Sequence, residues 1–174
     1  MIDSNPKVYI AKEKIAARVK ELAQEINRDY DGRPILLIGT LTGSIVFLAD
    51  LMRELALDVQ VDFVKLHSYV GTETSRGIRV ELEPDWDVSD RHVIIIEDIV
   101  DTGHTAAYLL ELFAAKRTAS VALCTLLDKP ERREVENINC DYIGFTIDNK
   151  FVVGYGLDYD QKYRELPYIG VVEL

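Results

Sequence analysis

Two stretches of the chain, Ile35-Leu36-Leu37-Ile38 and Val93-Ile94-Ile95-Ile96, are wholly aliphatic. A strand points successive side chains to opposite faces, so a strand of this composition must be buried on both. That requirement selects the interior of a parallel sheet covered by helices. The neighbouring segments supply the cover. Ile15, Val19, Leu22, Ala23 and Ile26 recur at helical spacing within 11–29, and Ala106, Leu109, Leu110 and Phe113 form a stripe within 105–116. Residues 45–55 also read as helix. Further strands are predicted at 59–67, 78–82 and 121–127, with shorter ones at 142–147 and 151–155. Asp31-Gly32 stops the first helix. Residues 39–44 read as a loop, and the polar, glycine-bearing stretch 68–77 as a mobile one. Strands alternating with helices predict an α/β fold with a central, mainly parallel sheet flanked by helices. The last 30 residues leave this alternation and predict a small β-rich lobe beside the sheet.

The chain of 174 residues fits one domain. It carries 20 Lys and Arg against 30 Asp and Glu, a formal net charge of −10. Nucleic acid and anionic membrane both demand a basic face, so neither is expected as a partner. No apolar run approaches the roughly 20 residues of a membrane-spanning helix. The first residues lack the basic start and apolar stretch of an export signal. Cys124 and Cys140 are not spaced as a redox or metal pair, and Cys124 reads as a buried small hydrophobe. A reduced, cytoplasmic location is therefore expected.

The chemistry concentrates where the second aliphatic run ends. Glu97 and Asp98 follow it directly, then Ile99-Val100, then Asp101-Thr102-Gly103-His104-Thr105, then a helix. Ligands of α/β sheets bind beyond the carboxyl ends of the strands. The amide groups of a helix N-terminus attract anions. Gly103 permits close backbone approach, and Thr102 and Thr105 add hydroxyl donors, so this loop reads as a phosphate cradle. Glu97 and Asp98 are acceptors, suited to sugar hydroxyls or a divalent cation. A ligand bearing both a phosphate and a diol would use both halves. An isolated Asp-Thr-Gly turn could equally be a helix cap. The chain contains no GxxxxGK[ST] loop.

The segment from Glu97 to Thr105 resembles the phosphoribosyl pyrophosphate signature of type I phosphoribosyltransferases. Lys150 to Tyr159, with Arg164 following, resembles the purine-site segment of the hypoxanthine-guanine phosphoribosyltransferase family. Leu126-Leu127-Asp128-Lys129 is similar to the strand end bearing that family's purine-reading lysine. Gly39 to Ser44 stands where the family has its pyrophosphate loop, and Ser68-Tyr69 where it has its lid. The elements come in family order over roughly residues 8–172.

The resemblance implies a type I phosphoribosyltransferase fold over 1–174, with a core of roughly 30–145 and a hood from the N-terminal segment and 146–174. It also implies Mg²⁺-dependent transfer of ribose 5-phosphate from phosphoribosyl pyrophosphate to a 6-oxopurine in purine salvage. The bases would be hypoxanthine and guanine, with xanthine a further candidate. Asp101, Thr102, Gly103, His104 and Thr105 would hold the 5-phosphate, and Glu97 and Asp98 would lie by the ribose and metal. Asp101 would face the purine as general base. An ordinary Asp pKa of about 3.9 is far from the optimum for that task, which favours orientation and charge stabilisation over outright proton abstraction. Lys129 would donate to the exocyclic oxygen, because an ammonium cannot accept from an adenine amino group. Without the resemblance it is a solvated strand-end lysine beside Asp128. Phe151 would stack on the base, Val152 would meet its edge through the backbone, and Asp158 would serve the purine side and a second Mg²⁺. Leu41, Thr42, Gly43 and Arg164 would contact pyrophosphate, with backbone amides and a non-proline cis peptide in the loop. Ser68 and Tyr69 would close over the reacting centre.

Two positions depart from the family pattern. Thr42 stands where many members have Lys, which removes a cation from the pyrophosphate loop. His104 stands where many have Lys or Asn, and its side chain is expected to point away from the phosphate. An RNA-binding regulator of the same fold is the competing function class, and the net charge of −10 speaks against it. A change of base to adenine or a pyrimidine is the other alternative, disfavoured by Lys129 and the Phe151 segment. A homodimer or homotetramer is expected, with weak sequence support from Met52, Leu55 and Leu57.

Overall fold

The structure, a computed structural model, describes residues 6–70, 76–85 and 87–172, with backbone only at 67–70 and 76–77. Six strands form the main sheet. In chain order they are β2 (Ile35–Leu41), β3 (Val59–Val70), β4 (Arg76–Leu82), β5 (His92–Val100), β6 (Ser120–Asp128) and β7 (Tyr142–Thr146). Their spatial order is β4-β3-β2-β5-β6-β7, parallel throughout except for the antiparallel β3–β4 arm. Helix α1 (Lys12–Tyr30) precedes β2, α2 (Ile45–Glu54) joins β2 to β3, and α3 (His104–Ala115) joins β5 to β6. A second sheet joins the two ends of the chain. It contains β1 (Lys7–Ile10), β9 (Ile169–Val171) and β8 (Val152–Val153), all antiparallel.

The aliphatic runs divide their residues between two cores, as a doubly covered sheet requires. Ile35, Leu37, Ile94 and Ile96 pack with residues of α1 and α2, among them Ile15, Leu22, Phe47 and Leu51. Leu36, Ile38, Val93 and Ile95 pack on the other face with Ala106, Leu109 and Phe113 of α3. All eight strand residues are at most 1% exposed. Each such side chain contributes about 1.5–3 kcal/mol of burial free energy. Because β2 and β5 are adjacent yet feed helices on opposite faces, the chain parts between them. A crevice opens at their carboxyl ends.

The expected elements are present, and their bounds differ instructively. Strand β2 continues through Gly39 and Thr40 to Leu41, and β5 continues through the acid pair to Val100. Ser68 to Val70, Arg76 and Gly77 are strand and not loop: β3 and β4 pair Ser68 with Ile78 and Tyr69 with Gly77. The remainder of that expected loop, 71–75, lies outside the described residues. Only Val152 and Val153 of the 151–155 segment are strand. Among the described residues, no helix is long and apolar enough to cross a membrane.

Candidate functional site

The carboxyl ends of β2 and β5 bring a hydroxyl and two carboxylates together. Thr40 Oγ1 donates to Glu97 Oε2 at 2.7 Å. Glu97 is 4% exposed, and its Oε1 has no hydrogen-bond partner among the described residues. Desolvation, reinforced by the neighbouring Asp98, pushes its pKa up to about 8 against the lowering effect of the Thr40 hydroxyl. Burial likewise pushes Asp98 up to about 6, although the Ile99 amide donates to its Oδ1 at 2.9 Å. Two adjacent, desolvated carboxyl groups with an orphaned oxygen form a donor set that suits a hard divalent cation. Beside them the Leu41–Thr42 peptide is cis. Gly43 lies so close to Asp98 that a Cβ there would fall inside the carboxylate. This corner is a cleft of about 280 Å³ lined by Leu41, Thr42, Gly43, Glu97, Asp98, Thr105, Asp158 and Arg164, among others.

A smaller recess of about 90 Å³ adjoins it and shares Glu97, Ile99 and Thr105. Asp101, Thr102 and Gly103 complete its wall. Helix α3 starts here on Gly103, at φ 92°, with no side-chain cap. Neither Asp101 nor Thr102 caps the helix, which leaves its first-turn amides available to an anion. His104 turns away, its Nε2 lying 3.0 Å from Glu134 Oε2.

The turn after β6 closes the far side. Lys129 is 7% exposed, and among the described residues its ammonium forms no hydrogen bond or ion pair. It is not paired with Asp128, whose carboxylate is taken by Arg133. Burial lowers the Lys129 pKa, opposed by the charge of Asp101. Arg133 Nε also donates to the Asp101 carbonyl at 3.3 Å. Arg132 Nε lies 3.2 Å from Asp101 Oδ1, close enough for an ion pair, but no donor among the described residues makes a hydrogen bond to that oxygen.

The last segment wraps back over the crevice. Ile147 donates its amide to Asp128 O at 2.9 Å, which ties this segment to the Lys129 turn. Phe151 is 38% exposed and meets Tyr159 edge to face at 5.5 Å. Val152 is buried in β8. Arg164 Nη2 pairs with Asp158 Oδ1 at 2.8 Å, and its Nη1 donates to Gly156 O at 2.7 Å. A larger cavity of about 540 Å³ between α1, α2 and the 164–167 turn shares Arg164 with the cleft and contains neither Glu97 nor Asp98.

A family model of the phosphoribosyl transferase domain matches residues 9–160. The chain belongs to the phosphoribosyl transferase family. It is 42% identical to a hypoxanthine-guanine phosphoribosyltransferase of Streptococcus mutans, over 99% of this chain and 97% of that one. Its fold superposes with TM-score 0.92 on a hypoxanthine-guanine phosphoribosyltransferase from Bacillus anthracis, at 40% identity, covering all of both chains. A hypoxanthine phosphoribosyltransferase from Trypanosoma cruzi in complex with the product IMP superposes with TM-score 0.90 at 41% identity, covering 96% and 94%.

In this phosphoribosyl transferase the strand ends gather Leu41, Thr42, Gly43, Glu97, Asp98, Thr105, Asp158 and Arg164 around one cleft. Asp101, Thr102 and Gly103 stand in the adjoining recess. Lys129, Phe151 and Val152 line neither of the two and lie on the turn and segment that flank them. The side chains of Ser68 and Tyr69 lie outside the described residues. Sequence reasoning missed Leu66 and Ile78, which also line the cleft, and placed Thr40 in the 39–44 loop without a role of its own. Thr40 had a usable signal: a hydroxyl at the carboxyl end of a wholly buried strand needs a partner. Leu66 and Ile78 had none, since only the β3–β4 pairing folds them over the cleft.

Proposed function

We propose that this protein transfers the 5-phosphoribosyl group from phosphoribosyl pyrophosphate to a nitrogen of hypoxanthine or guanine, with xanthine as a further base. The anomeric C–O bond breaks, a C–N bond forms, the purine gives up a proton and pyrophosphate leaves. One observation carries this reading: an uncapped helix N-terminus and an acid-lined cleft adjoin through Glu97, Ile99 and Thr105. A phosphate and a diol on one sugar fit that pairing. In this reading the amides of Thr102 to Thr105 hold the 5-phosphate, and Glu97 and Asp98 receive the ribose hydroxyls. Gly43 and the Leu41–Thr42 peptide present backbone groups to pyrophosphate, with Arg164 beside them. Lys129, with no hydrogen bond or ion pair among the described residues, donates to the purine oxygen. A group with donors only rejects an amino group at that place. Asp101 faces the purine ring and stabilises the positive charge that develops there. Phe151 supplies a stacking face and Val152 backbone groups to the base edge. Ser68 and Tyr69 would cover the centre, where water would intercept an oxocarbenium-like transition state.

Glu97, Asp98 and Asp158 would hold Mg²⁺ together with substrate oxygens, the usual mode for this ion. Among the described residues no three His, Cys, Asp or Glu side chains converge on a metal site by themselves. When bound, the ion would neutralise the pyrophosphate leaving group. We also propose a homodimer or homotetramer, supported by Ile45 and Met52, which are exposed on α2. A cytoplasmic location suits the free thiols of Cys124 and Cys140.

A spectrophotometric assay with hypoxanthine, guanine, xanthine and adenine, each with and without Mg²⁺, tests the activity. Turnover of 6-oxopurines only in the presence of Mg²⁺ is expected. Absence of turnover on all four at micromolar enzyme would overturn the proposal.

A further inference from the structure

We propose that Arg132 is a positioning residue for Asp101, holding its carboxylate apart from Lys129 so that both charges remain available to the purine. The inference rests on the reading of Asp101 and Lys129 as purine-facing groups. It starts from a difficulty in that reading. Lys129 is 7% exposed and, among the described residues, its ammonium makes no hydrogen bond or ion pair, while Asp101 Oδ1 has no hydrogen-bond donor among them. The two sense each other's charge, since Asp101 is the main influence opposing the burial of Lys129. Opposite charges so placed gain by collapsing into a pair, and the collapse would remove both purine contacts at once.

The turn that carries Lys129 also restrains Asp101. The Lys129 amide donates to Val100 O at 3.0 Å, and the amides of Glu134 and Val135 donate to Thr102 O at 2.9 and 3.2 Å. Arg133 Nε donates to the Asp101 carbonyl, and its guanidinium is anchored in turn on Asp128. These bonds fix the backbone on both sides of Asp101 and leave its side-chain torsions unconstrained. Among the described residues, Arg132 is the cation within ion-pair distance of the carboxylate, at 3.2 Å. Its own amide is tied to Lys129 O at 3.1 Å, so it is held in a fixed place relative to the lysine. Its side chain is 46% exposed and reaches the buried Oδ1 of the carboxylate. Arg132 and Lys129 therefore compete for one carboxylate, and Arg132 lies within ion-pair distance of it.

The test is a double-mutant cycle read by steady-state kinetics. Arg132→Ala is expected to lower kcat/KM for hypoxanthine about fivefold, the upper range for a half-exposed ion pair. The KM for phosphoribosyl pyrophosphate should stay unchanged, because the phosphate cradle is held by backbone bonds. Arg132→Lys should restore most of the loss. In an Asp101→Asn background, Arg132→Ala should have no further effect, since there is no carboxylate left to hold. An equal loss in both backgrounds would overturn the proposal while leaving the role of Asp101 intact. Full activity of Asp101→Asn alone would overturn the role of Asp101 and this inference with it. A thermal melt of Arg132→Ala that matches the parent excludes general unfolding as the source of the effect.

Discussion

The Glu97 carboxyl offers a test that needs no substrate. Folded, it titrates near 8, and its ordinary value is 4.5. Between those two values the folded chain holds a proton that the unfolded chain has released. Raising the pH through that window therefore favours unfolding. Each pH unit within it removes about 1.4 kcal/mol, for a total on the order of 5 kcal/mol. Glu97→Gln keeps the shape, still accepts from the Thr40 hydroxyl and has nothing to titrate. In metal-free buffer with chelator, the two proteins should unfold in urea with equal stability near pH 4.5. By pH 9 the glutamine variant should be more stable by on the order of 5 kcal/mol, or roughly 10–15 °C in Tm. Asp98, raised to about 6, weakens both proteins over the lower part of the same range. The variant should also lose transferase activity, so stability and function would move in opposite directions. A stability difference that does not change from pH 5 to pH 9 would refute the reasoning, because it would mean that Glu97 is already ionised in the folded chain.

Three further outcomes follow from the geometry. Gly43→Ala places a methyl group inside the Asp98 carboxylate, so urea unfolding should show a loss of about 1–3 kcal/mol together with a raised KM for phosphoribosyl pyrophosphate; unchanged values for both would contradict the close approach. Lys129→Met should lower kcat/KM for hypoxanthine about 10- to 150-fold, the worth of a charged hydrogen bond, without a matching effect on adenine. Parallel effects on both bases would show that Lys129 does not read the oxygen. Thr42→Lys should lower the KM for phosphoribosyl pyrophosphate and make it more sensitive to salt, as an added exposed cation does; a KM indifferent to salt would show that the backbone alone suffices there.

Much of this architecture is legible from side-chain character. Ile35 to Ile38 and Val93 to Ile96 have no polar face, and the structure gives alternate residues of each to opposite cores. The helical stripes of Ile15 to Ile26 and Ala106 to Phe113 pack as their spacing demands. The acid pair and the Asp101–Thr105 loop stand where a strand-to-helix junction must put them. What escaped reading depends on partners far away in the chain. The polar stretch from Ser68 to Val70 is a strand because β4 pairs with it, not because its residues favour one. The short β8 ends where Gly154 and Tyr155 take positive φ, and there a leucine amide and a glycine carbonyl replace sheet pairing. Lys129 and Asp128 look like an ion pair in sequence, yet Arg133, five residues beyond Asp128, claims the aspartate. Arg132 carries no signal at all, since its contact to Asp101 exists only after β5 and β6 are side by side.

Gly156, at φ 100°, packs so tightly that a Cβ would collide with the Gly43 carbonyl, and Gly43 itself rests on Asp98. From the segment bearing Phe151 and Asp158 down to the acid pair, the path is backbone on backbone on carboxylate. Layers of side chains absorb a displacement by changing rotamer, and the one side chain in this stack, Asp98, is held at its Oδ1 by the Ile99 amide. A displacement of the 151–158 segment would therefore be felt at Asp98 through Gly43. The two halves of the crevice behave mechanically as one piece, so a purine and a sugar phosphate bound on its opposite sides would sense each other through a rigid contact only a few atoms thick.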